Sequence, residues 1–128
     1  MFKFIRLLIT VALLLTTAGC ATIESATGVD RVYQAAIADT ATTAVALTNG
    51  AHELNPLGFA GASIGKLVYL YIRKDLTAEQ QSQYDRVATS LWTGAAANNA
   101  VQILAPGTGL LLSLSLGIYV GLTVWTEW

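Results

Sequence analysis

One cysteine, Cys20, and one histidine, His52, limit the chemistry open to this 128-residue chain. A lone cysteine excludes an intrachain disulfide, and a lone histidine excludes a multi-histidine metal site. Charge is also scarce: 12% of residues are charged, while 54% are hydrophobic. An ordinary soluble domain carries roughly 25% charged residues, so the deficit points to lipid or to a tightly buried bundle. The seven Lys and Arg residues are scattered among eight Asp and Glu, with no basic stripe, which argues against a nucleic-acid partner. There is no Ser-His-Asp spacing, no phosphate-cradling glycine loop and no carboxylate pair in a plausible cleft. No enzyme, cofactor, metal site or small-molecule substrate is therefore expected. The length allows one domain.

What is present begins with a leader. Lys3 and Arg6 precede an apolar run from Leu7 to Leu15, and Ala18 and Gly19 lead into Cys20. The run is too short and wrongly flanked for an ordinary spanning anchor and has secretory architecture. Its ending resembles a bacterial lipoprotein signal, in which the cysteine is acylated and becomes the first residue; Thr17 departs from the usual aliphatic choice. The resemblance implies removal of residues 1–19, a covalent lipid on Cys20, and a tether over 20–28. It also implies a chain held on the extracytoplasmic side of the cell membrane. Alanine at position 21 resembles the pattern that permits export to the outer membrane. Loss of the leader leaves five basic residues against eight acidic ones, a net charge of −3.

Residues 29–128 read as a single all-α domain, an up-down bundle of about four helices that is membrane-embedded or membrane-associated. The first helix is expected from Val29 to Thr48, stopped by Asn49-Gly50. Asn55 as N-cap and Pro56 at the first helical position would open a second, running to about Lys74. Thr77-Ala78-Glu79-Gln80 has the spacing of a capping box and opens a third, ended by Pro106-Gly107. The fourth, Leu110 to Val124, is the most lipid-like and is edged by Trp125 and Trp128. With about 17 residues it sits at the lower limit for a membrane span.

Small residues recur where helices need close approach: Gly61 and Gly65, then Gly109, Ser113, Gly117 and Gly121. Topology raises a conflict. A lipid on Cys20 starts the domain outside the cytoplasm, and four crossings would leave Arg73, Lys74 and Arg86 outside as well. The positive-inside rule prefers the reverse. Either the cleaved leader overrides the rule, or the bundle dips into lipid without crossing.

The polar constellation comprises Asp39 with Thr42 and Thr43, the turn residues Gly50, Glu53, Asn55 and Pro56, and Lys66. Asp39 lies 11 residues before Gly50, and Lys66 lies 11 after Asn55. In an antiparallel hairpin both stand about 16 Å from the turn, so the two ions should meet. Either one alone in a low-dielectric interior would cost several kcal/mol. Thr42 and Thr43 can offer hydroxyls to Asp39, and Glu53 can accept backbone N–H groups at the second helix's start. Asn98, Asn99 and Gln102 are expected to bond to neighbouring helices. A metal held by His52, Glu53 and Asp39 is disfavoured by their different depths.

Asp39, Thr42, Thr43, Gly50, Glu53, Asn55 and Pro56 resemble the pattern of a family of small bacterial membrane proteins of unknown function. The resemblance implies a multi-helix membrane bundle and supplies no activity; the lipoprotein leader departs from it. The expected role is a structural or accessory subunit of a cell-envelope complex. Its expected partners are membrane lipid and either another envelope protein or a second copy. The alternatives are a transport or ion-conducting subunit using Asp39 and Lys66, and a receptor-blocking exclusion lipoprotein.

Overall fold

The computed structural model describes residues 30–51, 57–106 and 109–128. Cys20 with its leader and tether, and the turn residues His52, Glu53, Asn55 and Pro56, lie outside the described residues.

Four helices follow one another: α1 (Arg31–Thr48), α2 (Gly58–Ile72), α3 (Ala78–Leu104) and α4 (Leu110–Thr126), with a 3₁₀ turn, Arg73–Asp75, after α2. Local chemistry accounts for most of their ends. Asp30 caps α1, its Oδ1 accepting from Val32 N at 3.0 Å. At the other end Gly50 takes φ +85°. Its N–H donates to Leu47 O at 3.1 Å, and Ala51 N–H donates to Ala46 O at 3.0 Å. That pair of bonds is a Schellman motif, which a glycine permits because it has no Cβ to clash in the left-handed region. Thr77 and Gln80 close the expected capping box: Gln80 N donates to Thr77 Oγ1 at 3.3 Å, and Thr77 N to Gln80 Oε1 at 3.1 Å.

The expected start of α2 is corrected. The helix begins at Gly58, with Leu57 in the N-cap position and no side-chain cap, rather than with Pro56 as its first residue. It also ends earlier than Lys74, because the backbone tightens to 3₁₀ at Arg73.

Cross-helix contacts give the directions. Along α3 and α4, Gln102 meets Ser113, Gly94 meets Gly117 and Arg86 meets Trp125, so these helices are antiparallel. Asp30 reaches Arg73 and Asp39 reaches Lys66, making α1 and α2 antiparallel too. The order is up-down-up-down. The 27-residue α3 is the central element, packed closely on α1 and α4, whereas α2 stands against α1 with sparse backbone contact.

The α3–α4 crossing is tight because its residues are small. A Cβ on Gly94 would fall 2.6 Å from Gly117 O, and one on Gly117 would fall 2.7 Å from Gly94 O. Buried positions are mostly Ala, Ser, Thr and Val: Val32, Ala35 and Ala36 on α1, Thr89, Thr93 and Ala97 on α3, Ser113 and Val120 on α4. Large apolar side chains point outward instead, among them Ile64, Leu67 and Tyr71 on α2 and Leu111, Ile118 and Leu122 on α4.

No helix among the described residues is long and apolar enough to cross a membrane. This corrects the expectation of a span over the fourth helix. At 17 residues α4 is about 25 Å long, less than the ~30 Å hydrocarbon core of a typical bilayer.

Candidate functional site: two buried ionic networks and a groove

The first network lies at the middle of the α1–α2 hairpin. Lys66 Nζ is 2.6 Å from Asp39 Oδ2, with side-chain exposures of 8% and 11%. The ammonium also donates to Thr40 Oγ1 at 3.1 Å. On the other carboxylate oxygen, Oδ1, Thr43 Oγ1 donates at 3.3 Å and Asn99 Nδ2 at 3.4 Å. Asn99 Nδ2 is closer still to Thr43 Oγ1, at 2.7 Å. The pair is thus tied to α3 as well as to both arms of the hairpin. Each charge is covered by its opposite and by hydroxyl or amide groups, which a buried ion requires.

Thr42 takes a different role from the one expected. Its hydroxyl donates to Ala38 O at 2.8 Å, a local bond within α1, and does not reach the Asp39 carboxylate. Gln102 does bond across helices, donating to Ser113 Oγ at 3.2 Å, while Asn98, among the described residues, donates to its neighbour Asn99 at 3.4 Å.

The second network is not among the expected pairings. Arg73 Nε donates to Asp85 Oδ1 at 2.8 Å, and its Nη2 donates to Asp85 Oδ2 and, at 2.8 Å, to Asp30 Oδ2. Tyr69 OH adds a 2.6 Å bond to Asp85 Oδ1. Tyr33 lies beneath the guanidinium, its ring centroid 5.4 Å away, and Tyr69 meets Trp92 edge-on at 5.8 Å. The arginine fork suits this duty, since it binds a carboxylate through two parallel N–H groups. The hydrogen bond that Arg73 donates to Asp85 is the main cause that holds the guanidinium above its ordinary pKa, against the opposing effect of burial. Burial first, then the bond to Asp85, pushes the Tyr69 phenol above its usual value. One clamp therefore joins the start of α1, the end of α2 and the start of α3. The signal for it was Tyr69 and Arg73 at four-residue spacing, which puts both on one face of a helix. Nothing in the sequence named Asp85 as their partner.

Between α2 and α4 a groove of about 710 Å³ runs over α1 and α3. Phe59, Leu91, Leu114, Ile118 and Leu122 form apolar walls, and the Asp39–Lys66 pair borders its floor. Among the described residues no three His, Cys, Asp or Glu side chains gather as a metal site.

No family model matches the chain, and no curated protein or solved structure matches it. The resemblance noted above rests on its seven motif residues alone.

Proposed function

We propose that this chain is a lipid-anchored, membrane-associated helical protein that serves as a structural or accessory subunit of a cell-envelope complex. The observation that carries the reading is the inverted placement of side chains. Small and polar residues fill the interior, while the outer faces of α2 and α4 present Ile64, Leu67, Val68, Leu111, Ile118 and Leu122. Contiguous outward apolar surface of this kind marks interaction with membrane or protein. The leader ending at Cys20 supplies the anchor in this reading, on the extracytoplasmic side.

The ionic groups fit a scaffold better than a relay. Asp39 is paired and largely dry, which favours fixing of helix register over conduction of an ion. A transport role keeps one point in its favour, because the pair borders the groove.

Crosslinking in intact membranes, followed by affinity purification and mass spectrometry, tests the proposal. The expected product is a mature chain with a lipid-modified N-terminal Cys20, crosslinked to a specific envelope protein. A chain still beginning at Met1, with a free Cys20 thiol and recovered away from membranes, overturns it.

A further inference from the structure

The described charges are segregated along the bundle axis. Asp30 and Arg31 start α1; Arg73, Lys74 and Asp75 follow α2; Glu79, Asp85 and Arg86 lie in the first turns of α3; Glu127 follows α4. In an up-down bundle all of these positions are at one end. Among the described residues the only other charges are Asp39 and Lys66, and these neutralise each other inside. Beyond Arg86, α3 continues for 18 residues to Leu104 without a charge, and α4 has none at all.

Most amphipathic aromatic residues follow the same division, with Tyr119, 60% exposed midway along α4, as the exception. Tyr33, Tyr71, Tyr84, Trp125 and Trp128 are partly exposed at or near the charged end. Three of them lie beneath cations: Arg73 over Tyr33, as above, Lys74 Nζ 4.1 Å from the Tyr71 ring centroid, and the Arg86 guanidinium carbon 4.1 Å from that of Trp125. At the other end the described aromatic residue is Phe59, which has no polar tip. Tyr and Trp collect at the membrane–water boundary because one part of the ring system is apolar and the other hydrogen-bonds.

We infer that the bundle enters lipid end-first, with the outer faces of α2 and α4, which carry no charge among the described residues, in hydrocarbon and its charged, aromatic-collared end at the headgroups. The inference rests on the membrane-associated reading above and adds its orientation and depth. Lipid is favoured over a second copy because exposed apolar side chains stand on both α2 and α4, on either side of the groove between them. A helix-pairing interface would need only one face. The depth is limited. Uncharged stretches of about 25–27 Å are longer than one leaflet and shorter than the full ~30 Å hydrocarbon core. The sequence between Ala51 and Leu57 also holds Glu53, whose ionised carboxylate opposes deep entry of that end. Inside the lipid zone Asp39 and Lys66 meet the usual requirement that intramembrane ions pair with one another.

The test uses the full processed protein in phosphatidylethanolamine–phosphatidylglycerol vesicles, with a thiol-reactive fluorophore on single introduced cysteines. Leu67→Cys, Leu111→Cys and Ile118→Cys probe the uncharged faces; Asp75→Cys and Glu79→Cys probe the charged end. With bromine in the acyl chains, the first three labels should lose most of their fluorescence while the last two keep theirs. Equal quenching at both ends overturns the inference. So does absence of quenching at Leu111 and Ile118 combined with thiol crosslinks between copies, which would assign those faces to a second chain. The parent protein, with Cys20 alone, should take up no label. Uptake would overturn the lipid anchor and leave orientation to be read in a Cys20→Ser background.

Discussion

Lys66 Nζ lies 2.6 Å from Asp39 Oδ2 across the α1–α2 hairpin, midway along the bundle interior. Removing one partner strands the other in an environment that cannot solvate it. Asp39→Ala should cost about 3–5 kcal/mol. Replacing both by apolar residues, as in Asp39→Leu with Lys66→Met, should cost much less. A double-mutant cycle by chemical denaturation in detergent measures the difference. Additive losses would mean that the pair contributes no coupling.

Glycines of this protein should fall into two groups. Gly94→Ala places a Cβ against Gly117 O at 2.6 Å, a backbone atom that cannot swing aside. The helices must separate, at about 1–3 kcal/mol. Gly65 lies within α2, and a Cβ there meets nothing within 4 Å. Gly65→Ala should therefore stabilise by about 0.5–1 kcal/mol through helix propensity. Unfolding midpoints of the two variants should move in opposite directions.

Asp85 and Asp30 share Arg73 unequally. Asp85 is buried and accepts from both Arg73 and Tyr69, so Asp85→Ala should cost about 3–5 kcal/mol. Asp30 is 43% exposed, and Arg73 would keep its main partner without it. Its loss should cost about 0.5–2 kcal/mol, the usual figure for an N-cap. Hydrogen exchange should show the first variant loosening α2 and α3 together, and the second fraying only the start of α1.

Tyr69 makes stability depend on alkaline pH. Its folded pKa is raised by burial and by Asp85, above the ordinary value of 10.0. The folded form therefore holds the phenol proton where the unfolded chain releases it. The stabilisation is fully present below the unfolded pKa and is lost as pH climbs above about 10 towards the folded value. Melting temperature should fall more steeply above pH 10 in the parent than in Tyr69→Phe. Parallel curves would remove Tyr69 from the alkaline response.

Helix boundaries were the legible part of this fold wherever a local bond makes them. Thr77 and Gln80 are three residues apart, and Asn49-Gly50 ends α1 through bonds spanning five residues, so both ends follow from nearby sequence. The start of α2 did not follow in this way. Asn55-Pro56 has the residue types of a helix start, yet the helix begins at Gly58 without a side-chain cap. The proximity of Asp39 and Lys66 was legible for a related reason. In a hairpin, equal distance from the turn sets equal depth through the constant rise per residue.

Depth says nothing of rotation, and rotation is what the tertiary structure decided. Asp39 and Thr42 are three residues apart, but only Thr43 turns its hydroxyl to the carboxylate. Arg73 joins Asp30 and Asp85, 43 and 12 residues away, because α2 ends where α1 and α3 both begin. Its three helices had to be placed before that clamp existed. The small-residue rows gave the capacity for close approach; the packed bundle set Gly117 and Gly121 against Gly94, which belonged to neither row, and left Gly65 open. Composition alone fixed the scarcity of charge. Which end of the molecule holds that charge depends on helix direction, a property of the assembled bundle.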